Sequence, residues 1–261
     1  MLFGLFKDAE QGIDVASMSE CGPVRKDNQD HIHVDARALA FCVADGMGGC
    51  EGGGEASAIV CRNFVATPIA DVALDERVRR MEDAIFHAGE EIRAYASAAG
   101  YAQMGSTATM LLIDPEGLSS AAVGNVGDSR VYRLRAGRLE QLTNDHTIGD
   151  EIRRAAEAAG QKPLADMRAR FLSHVLTRAV GIGEEPPVVD WTTVDLREGD
   201  VFLLCSDGVH GMVEGRRIAS ALGMVGKAKD IIARLRELII KGGANDNFSA
   251  VVVKIGKIAK G

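Results

Sequence analysis

The sequence predicts an α+β domain built on largely antiparallel sheets, and three observations carry that expectation. Short runs rich in β-branched and aliphatic residues recur at 13–18, 39–44, 107–113, 119–123, 130–134, 188–194, 201–205 and 248–255. Each has strand length, and most are bounded by turn residues. Two helical stripes stand apart from them, Leu74, Val78, Met81, Ile85, Ala88, Ile92 and Tyr95, then Ala228, Ile231, Ile232, Leu235, Leu238 and Ile239. Both advance in steps of about three or four residues, which puts one apolar face on each helix. The helices come as a block between strands and again near the end, which is not the alternation of βαβ units.

Along the chain, residues 1–7 are apolar only briefly before Lys7 and Asp8, too short for the apolar stretch of a signal peptide or for a spanning helix. The strand 39–44 runs into Asp45-Gly46-Met47-Gly48-Gly49, and the long stripe 74–95 follows as a helix. Residues 107–134 read as strands joined by short Gly or Asp turns. Residues 147–172 break the rhythm: they are polar, helical in propensity over 151–159, then carry Gly160 and Pro163. They are expected to form a mobile, flap-like surface excursion. No repeat, low-complexity tract or linker is visible, so residues 1–261 are expected to form a single domain.

A chain of 261 residues with 46% hydrophobic content can bury a full core. Its net charge of −7, with both signs interspersed, argues against binding nucleic acid through a cationic surface. If it handles phosphate, bound cations are expected to help. Five cysteines are an odd number and contain no C-x-x-C pair, which fits reduced thiols in the cytoplasm. No segment reaches membrane length, and a cytoplasmic monomer is expected.

The chemistry is suggested by a recurrence, in which an apolar run ends and an aspartate follows beside Gly or Asn. It occurs at Asp45-Gly46, at Asp207-Gly208, at Asn125-Val126-Gly127-Asp128 and at Asn245-Asp246-Asn247. Any one of these is an ordinary turn; four together, with glycines at 46, 48 and 49, suggest backbone approaching a ligand. Carboxylates beside backbone carbonyls are hard-cation donors and favour Mg²⁺ or Mn²⁺ over zinc. The six histidines offer no alternative: His31 and His33 share a strand face, but His87, His146, His174 and His210 are scattered without zinc spacing. Other phosphate chemistries lack their parts: there is no G-x-x-x-x-G-K-[ST] loop, no cysteine with arginine six positions on, and no G-x-S-x-G elbow.

Eight motifs in order carry a family resemblance. They are Arg25-Lys26-Asp27-Asn28-Gln29-Asp30, Val43-Ala44-Asp45-Gly46-Met47-Gly48-Gly49, Gly105-Ser106-Thr107 and Val123-Gly124-Asn125-Val126-Gly127-Asp128-Ser129-Arg130, then Leu142-Thr143-Asn144-Asp145-His146, Leu176-Thr177-Arg178-Ala179-Val180-Gly181, Leu204-Cys205-Ser206-Asp207-Gly208 and Asn245-Asp246-Asn247-Phe248-Ser249. The chain resembles the PPM-type (type 2C) metal-dependent serine/threonine phosphatases in their bacterial stand-alone form. The resemblance implies a central β-sandwich of two antiparallel sheets flanked by helices on both sides (α-β-β-α), with the metal centre at one end. It implies that Asp45 bridges two Mn²⁺ or Mg²⁺ ions, that the Gly46 carbonyl binds one of them, and that Asp207 and Asp246 complete the pair's protein ligands. It further implies Asp128 as ligand of a third, weaker metal, Asp30 as holder of a metal-bound water, and Arg25 as a phosphate grip. The expected partners are phosphorylated protein substrates, with a serine/threonine kinase acting in opposition.

Two departures bear on mechanism. Met47 stands where some members carry the histidine that protonates the leaving group, and a thioether has no proton to give. That step is expected to fall to a metal-bound water before a histidine from elsewhere; His146 is nearest by motif, although Asp145 and His146 are expected first as a turn pair bracing the site. Gln29 replaces a carboxylate found in other members. Rival readings are a pseudophosphatase that binds phosphoproteins without cleaving them, a signalling scaffold, and a phosphatase acting on anti-sigma-type regulators or a small phosphoester.

Overall fold

The computed structural model describes residues 4–8, 12–47, 49–161, 172–183 and 185–257. Two antiparallel sheets form its centre. One runs β1 (Gly4–Asp8), β2 (Ile13–Glu20), β12 (Phe248–Ile255), β11 (Val201–Cys205), β8 (Arg130–Arg135), β9 (Arg138–Gln141). The other runs β10 (Asp190–Asp195), β7 (Ser120–Val126), β6 (Ala108–Ile113), β4 (Ala40–Met47), β3 (Asp30–Asp35), with the two-residue β5 (Gly105–Ser106) also paired to β4.

Alternation along the strands sorts side chains into three apolar layers. Between the sheets lie Phe41, Val43, Leu111, Val123, Phe202, Leu204, Val251 and Val253. The opposite face of the second sheet, including Cys42, Met110 and Leu112, packs on α1 (Gly49–Ala66) and α2 (Leu74–Ala99) through Ile59, Phe64, Met81, Ile85 and Ile92. The opposite face of the first sheet, including Leu203, Cys205 and Val252, packs on α5 (Gly215–Leu222) and α6 (Ala228–Lys241) through Leu222, Ile231, Leu235 and Leu238. This is the expected helix–sheet–sheet–helix order. Burial on both faces explains why 201–205 reads as an unbroken apolar run. Each such aliphatic or aromatic side chain contributes about 1.5–3 kcal/mol relative to exposure.

Several elements depart from the expectation. Residues 30–35 alternate histidine with aliphatic positions and form β3, whose His31 and His33 face α1: His31 Nδ1 lies 2.9 Å from Ser57 Oγ, and the His33 ring sits 5.5 Å from that of Phe64. Helix α1 was obscured by Gly49, Gly52, Gly53 and Gly54, poor helix formers. β10 begins at Asp190, because Val188 lies outside the sheet and is 69% exposed. Of the flap-like excursion, the described part is α3 (Ile148–Ala158), capped by Thr147 Oγ1 accepting from the Asp150 N–H at 3.2 Å, with no buried residue. Residues 162–171 of that expectation lie outside the described residues.

Arg77 of α2 is fully buried and makes a polar seam in the core. Its guanidinium donates to the carbonyls of Val72 (3.1 Å), Ala38 (2.6 Å), Ile113 (3.1 Å) and Ala70 (2.9 Å), tying the helix to the β4–β6 end and to the α1–α2 connection. Arg77→Met fills similar volume but leaves these acceptors without their donor. At about 1–3 kcal/mol per stranded group, the expected loss is roughly 3 kcal/mol or more, read as a fall in denaturation midpoint. A loss below about 1 kcal/mol would mean that water or rearrangement satisfies the carbonyls.

Candidate metal centre

At one end of the sandwich the inward-facing columns change from hydrocarbon to oxygen. On β4, Phe41 and Val43 are followed by Asp45; on β3, Val34 and Ile32 lead back to Asp30. On β11, Phe202 and Leu204 are followed by Ser206, and on β12, Val253 and Val251 lead back to Ser249. Asp30 and Asp45 are register partners, so the strand pairing itself sets two carboxylates opposite each other.

A network of neutral groups fixes these positions. Ser206 Oγ donates to Asp30 Oδ2 at 2.7 Å and accepts from the Ser249 N–H at 2.9 Å. Thr107 Oγ1 accepts the Asp45 N–H at 2.9 Å, while the Thr107 N–H donates to the Asp45 carbonyl at 2.8 Å. Asn247 ties in the loop carrying Arg25: its Oδ1 accepts from Gln29 N–H, and its Nδ2 donates to the carbonyls of Asp27 and Cys21, each at 2.9 Å.

The glycines beside the carboxylates are sterically required. A Cβ on Gly46 would stand 1.9 Å from the Gly53 carbonyl oxygen, and one on Gly208 would stand 1.9 Å from that of Asn247. Asp207 therefore begins α4 (Asp207–His210) with Asn247 backbone pressed on the next residue.

Asp30, Asp45, Asp207 and Asp246 repel one another, and Asp128 acts on Asp45 and is acted on by Asp207. Burial, reinforced by neighbouring carboxylates, pushes Asp30 and Asp128 up to about 7. The same causes raise Asp45 well above the usual carboxylate range and raise Asp207. Asp246 Oδ2 accepts from Arg25 Nη2 at 2.7 Å. Arg130 is committed elsewhere, to Asp145, with Nε 2.8 Å from Oδ1. Asp128, Asp207, Asp246 and His210 line a cleft of about 550 Å³. His210 donates from Nε2 to the Asp128 carbonyl at 3.0 Å, and burial holds it neutral with a pKa near 3.

All seven expected residues thus fall in one neighbourhood. Asp30, Asp45, Asp128, Asp207 and Asp246 interact through their charges, Arg25 reaches them through Asp246, and Gly46 follows Asp45 with its carbonyl against Gly53. Among the described residues, no three carboxylate, thiol or imidazole side chains close into a ready coordination shell. The donor set nevertheless fits hard divalent cations: it is oxygen-only and over-charged, and Asp30 Oδ1 is buried without a hydrogen-bond partner. Sequence reasoning missed Ser206, Ser249, Thr107 and Asn247, although continuing each strand's period of two past its apolar run finds the two serines. His146 is corrected as a candidate proton donor. It is fully buried, with both ring nitrogens engaged by Gly127 and Asp190.

The protein phosphatase 2C family model matches residues 20–238. The serine/threonine protein phosphatase PstP of Mycobacterium tuberculosis is 34% identical over 250 residues, covering 92% of this chain; the chain spans 44% of that relative's length. Protein phosphatase PhpP of Streptococcus pneumoniae is 27% identical over 252 residues, covering 94% of this chain and 98% of its own. The solved catalytic domain of PstP in complex with two manganese ions superposes with a TM-score of 0.79 at 29% identity, covering 94% of this chain and 99% of that one.

The carboxylate crowding predicts a pH-dependent penalty in the metal-free protein. A carboxyl whose folded pKa is raised contributes stability that is present below its unfolded value near 3.8 and lost as pH rises through about 7. Asp30→Asn removes that charge while keeping the shape. In chelator the variant should melt a few degrees above the parent at pH 8, by a smaller margin at pH 5, and about level with it below pH 4. Buried histidines such as His210 act with the opposite sign, but in both proteins equally, so the difference reports Asp30 together with the relief its removal gives Asp45. A variant no more stable than the parent at pH 8 would show that Asp30 carries no uncompensated charge.

Proposed function

Because the chain belongs to the protein phosphatase 2C family, we propose that it is a metal-dependent protein serine/threonine phosphatase, a single catalytic domain over residues 1–261 with a flap-like excursion at about 147–172. One observation supports this reading above the others: carboxylates from separate turns and strands meet at one end of the sandwich, raised in pKa by burial and by each other. On this reading Asp45, Asp207, Asp246 and the Gly46 carbonyl hold a pair of Mn²⁺ or Mg²⁺ ions, and Asp128 holds a third, weaker one. Such ions, when bound, lower the pKa of a shared water and neutralise charge on the phosphoryl oxygens.

The chain's own groups supply position. Asp30, pinned through Oδ2 by Ser206, keeps Oδ1 free to accept a hydrogen bond from the attacking water. Arg25, half-exposed on its loop, presents a planar fork suited to two phosphate oxygens. Met47, half-buried at the end of β4, has no proton for the leaving alkoxide, so that proton would come from water in the cleft or from His174 on its wall. The substrates would be phosphorylated proteins, opposed by a serine/threonine kinase, and the setting the cytoplasm with the protein as a monomer. Among the described residues no helix is long and apolar enough to cross a membrane.

Phosphate release from a phosphothreonine peptide should require Mn²⁺ or Mg²⁺ and stop in EDTA; undiminished turnover in chelator would exclude the mechanism. Asp45→Asn should lose about 10²-fold or more in turnover, because an amide cannot balance the cations' charge. Its calorimetric titration should lose the tight pair of binding events. Normal binding of two ions would remove Asp45 from the bridging role.

Leaving-group protonation is tested at position 47. Met47→His should raise turnover on a phosphoserine peptide near neutral pH, by up to about 10²-fold, and leave p-nitrophenyl phosphate nearly unchanged, since that leaving group needs little protonation. Equal effects on both substrates would point to altered packing or cation geometry instead.

A further inference from the structure

His146 touches neither the cleft nor its carboxylates, yet both ring nitrogens are committed and the side chain is 0% exposed. Nδ1 accepts the Gly127 N–H at 3.0 Å, which leaves the ring proton on Nε2, 3.0 Å from Asp190 Oδ2. Asp190 Oδ1 accepts in turn from Arg178 Nη1 at 2.7 Å. The backbone doubles the link, since the His146 N–H donates to the Gly127 carbonyl at 3.0 Å.

Gly127 immediately precedes Asp128 and sits at φ +103°, with Thr107 so close that a Cβ would fall 2.5 Å from its Cγ2. The turn is therefore clamped between Thr107, which holds the Asp45 backbone, and the His146 ring. Asn125 Nδ2 closes the same turn by donating to the Gly127 carbonyl at 3.1 Å. Asp128 follows directly on this clamped turn, so the course of its backbone is set there.

We propose that His146 is a positioning residue for Asp128: the hydrogen-bonded line Arg178–Asp190–His146–Gly127 aims the Asp128 carboxylate into the cleft and sets the affinity of the third cation separately from that of the pair. The inference rests on the functional reading above. An imidazole suits the task because it spans from a backbone N–H to a carboxylate while carrying one fixed tautomer. Outer partners of this kind commonly change metal affinity by about 10–100-fold when removed.

The test compares His146→Ala, Asp190→Ala and Asp190→Asn with the parent by Mn²⁺ calorimetry, amide exchange and phosphate release. In both alanine variants the tight pair should bind as in the parent, the third event should weaken by at least about 10-fold, and the Gly127 amide of the metal-free protein should exchange faster. Half-maximal turnover should need correspondingly more Mn²⁺, with the rate at saturation recovering. Asp190→Asn keeps an acceptor for Nε2–H but loses the one for Arg178, and should fall between the parent and Asp190→Ala. Asp190 lies on the half-exposed side of the line, so Asp190→Ala tests it even if His146→Ala does not fold. Third-site affinity unchanged in Asp190→Ala, equal weakening of all binding events, or a parent that binds only two Mn²⁺ would each overturn the inference. Loss of the functional reading would look different: binding intact, and no Mn²⁺-dependent phosphate release from any substrate.

Discussion

The structure depends on concentrating negative charge where a β-sandwich runs out of hydrocarbon. Asp30 and Asp45 are set opposite each other by strand register, and Asp207 and Asp246 are brought to them by turns that end β11 and begin β12. Burial and neighbouring carboxylates raise the pKa of Asp30, Asp45 and Asp207, and a fold selected for stability alone would not keep them. The rest of the molecule tolerates the strain because three apolar layers stabilise it elsewhere. Stability and site chemistry are thus spatially separated along the same strands: each inward column is aliphatic at one end and oxygen-bearing at the other.

Charge alone would not hold such a site open, and the mount is made of neutral groups. Ser206, Ser249, Thr107 and Asn247 bond backbone and carboxylate without adding charge, so they orient the aspartates and leave their lone pairs largely available. Had lysines or arginines filled these places, the carboxylates would be satisfied as ion pairs and would have less to offer a cation. Close backbone approach at Gly46–Gly53 and Gly208–Asn247 serves the same end, since it brings main chain to the carboxylates where any side chain would collide.

What was legible in the sequence follows the physics of each feature. Strands buried on both faces announce themselves as apolar runs, and α2 and α6 by their stripes. Helix α1 did not, because its glycines answer to a close approach across 46–53 that only the folded chain reveals. β3 was legible only as the strand face shared by His31 and His33, because those outward residues pack against a helix instead of solvent. The aspartates stood out through their glycine neighbours. The serines and the threonine that hold them look like ordinary strand ends, and the four carbonyls gathered by Arg77 come from segments far apart in sequence. His146 was visible as part of a motif, but its burial, and hence its unsuitability as an acid, was not.

The Arg25–Asp246 contact connects the electrostatics to the phosphate grip. With side chains 53% and 35% exposed, the pair sits in water-screened surroundings, and exposed pairs of this kind are worth about 0–1 kcal/mol. On the proposed reading Asp246 would be a cation ligand, and a bond this weak would not hold its carboxylate to Arg25. Arg25 would then be available to a phosphoryl group, which its planar fork fits. The loop carrying Arg25 is anchored independently of that ion pair, because Asn247 holds the carbonyls of Cys21 and Asp27 and the N–H of Gln29. The residue that precedes β12 would therefore keep Arg25 in place whichever partner its neighbour Asp246 had, so a weak surface ion pair can be given up without costing the site its geometry.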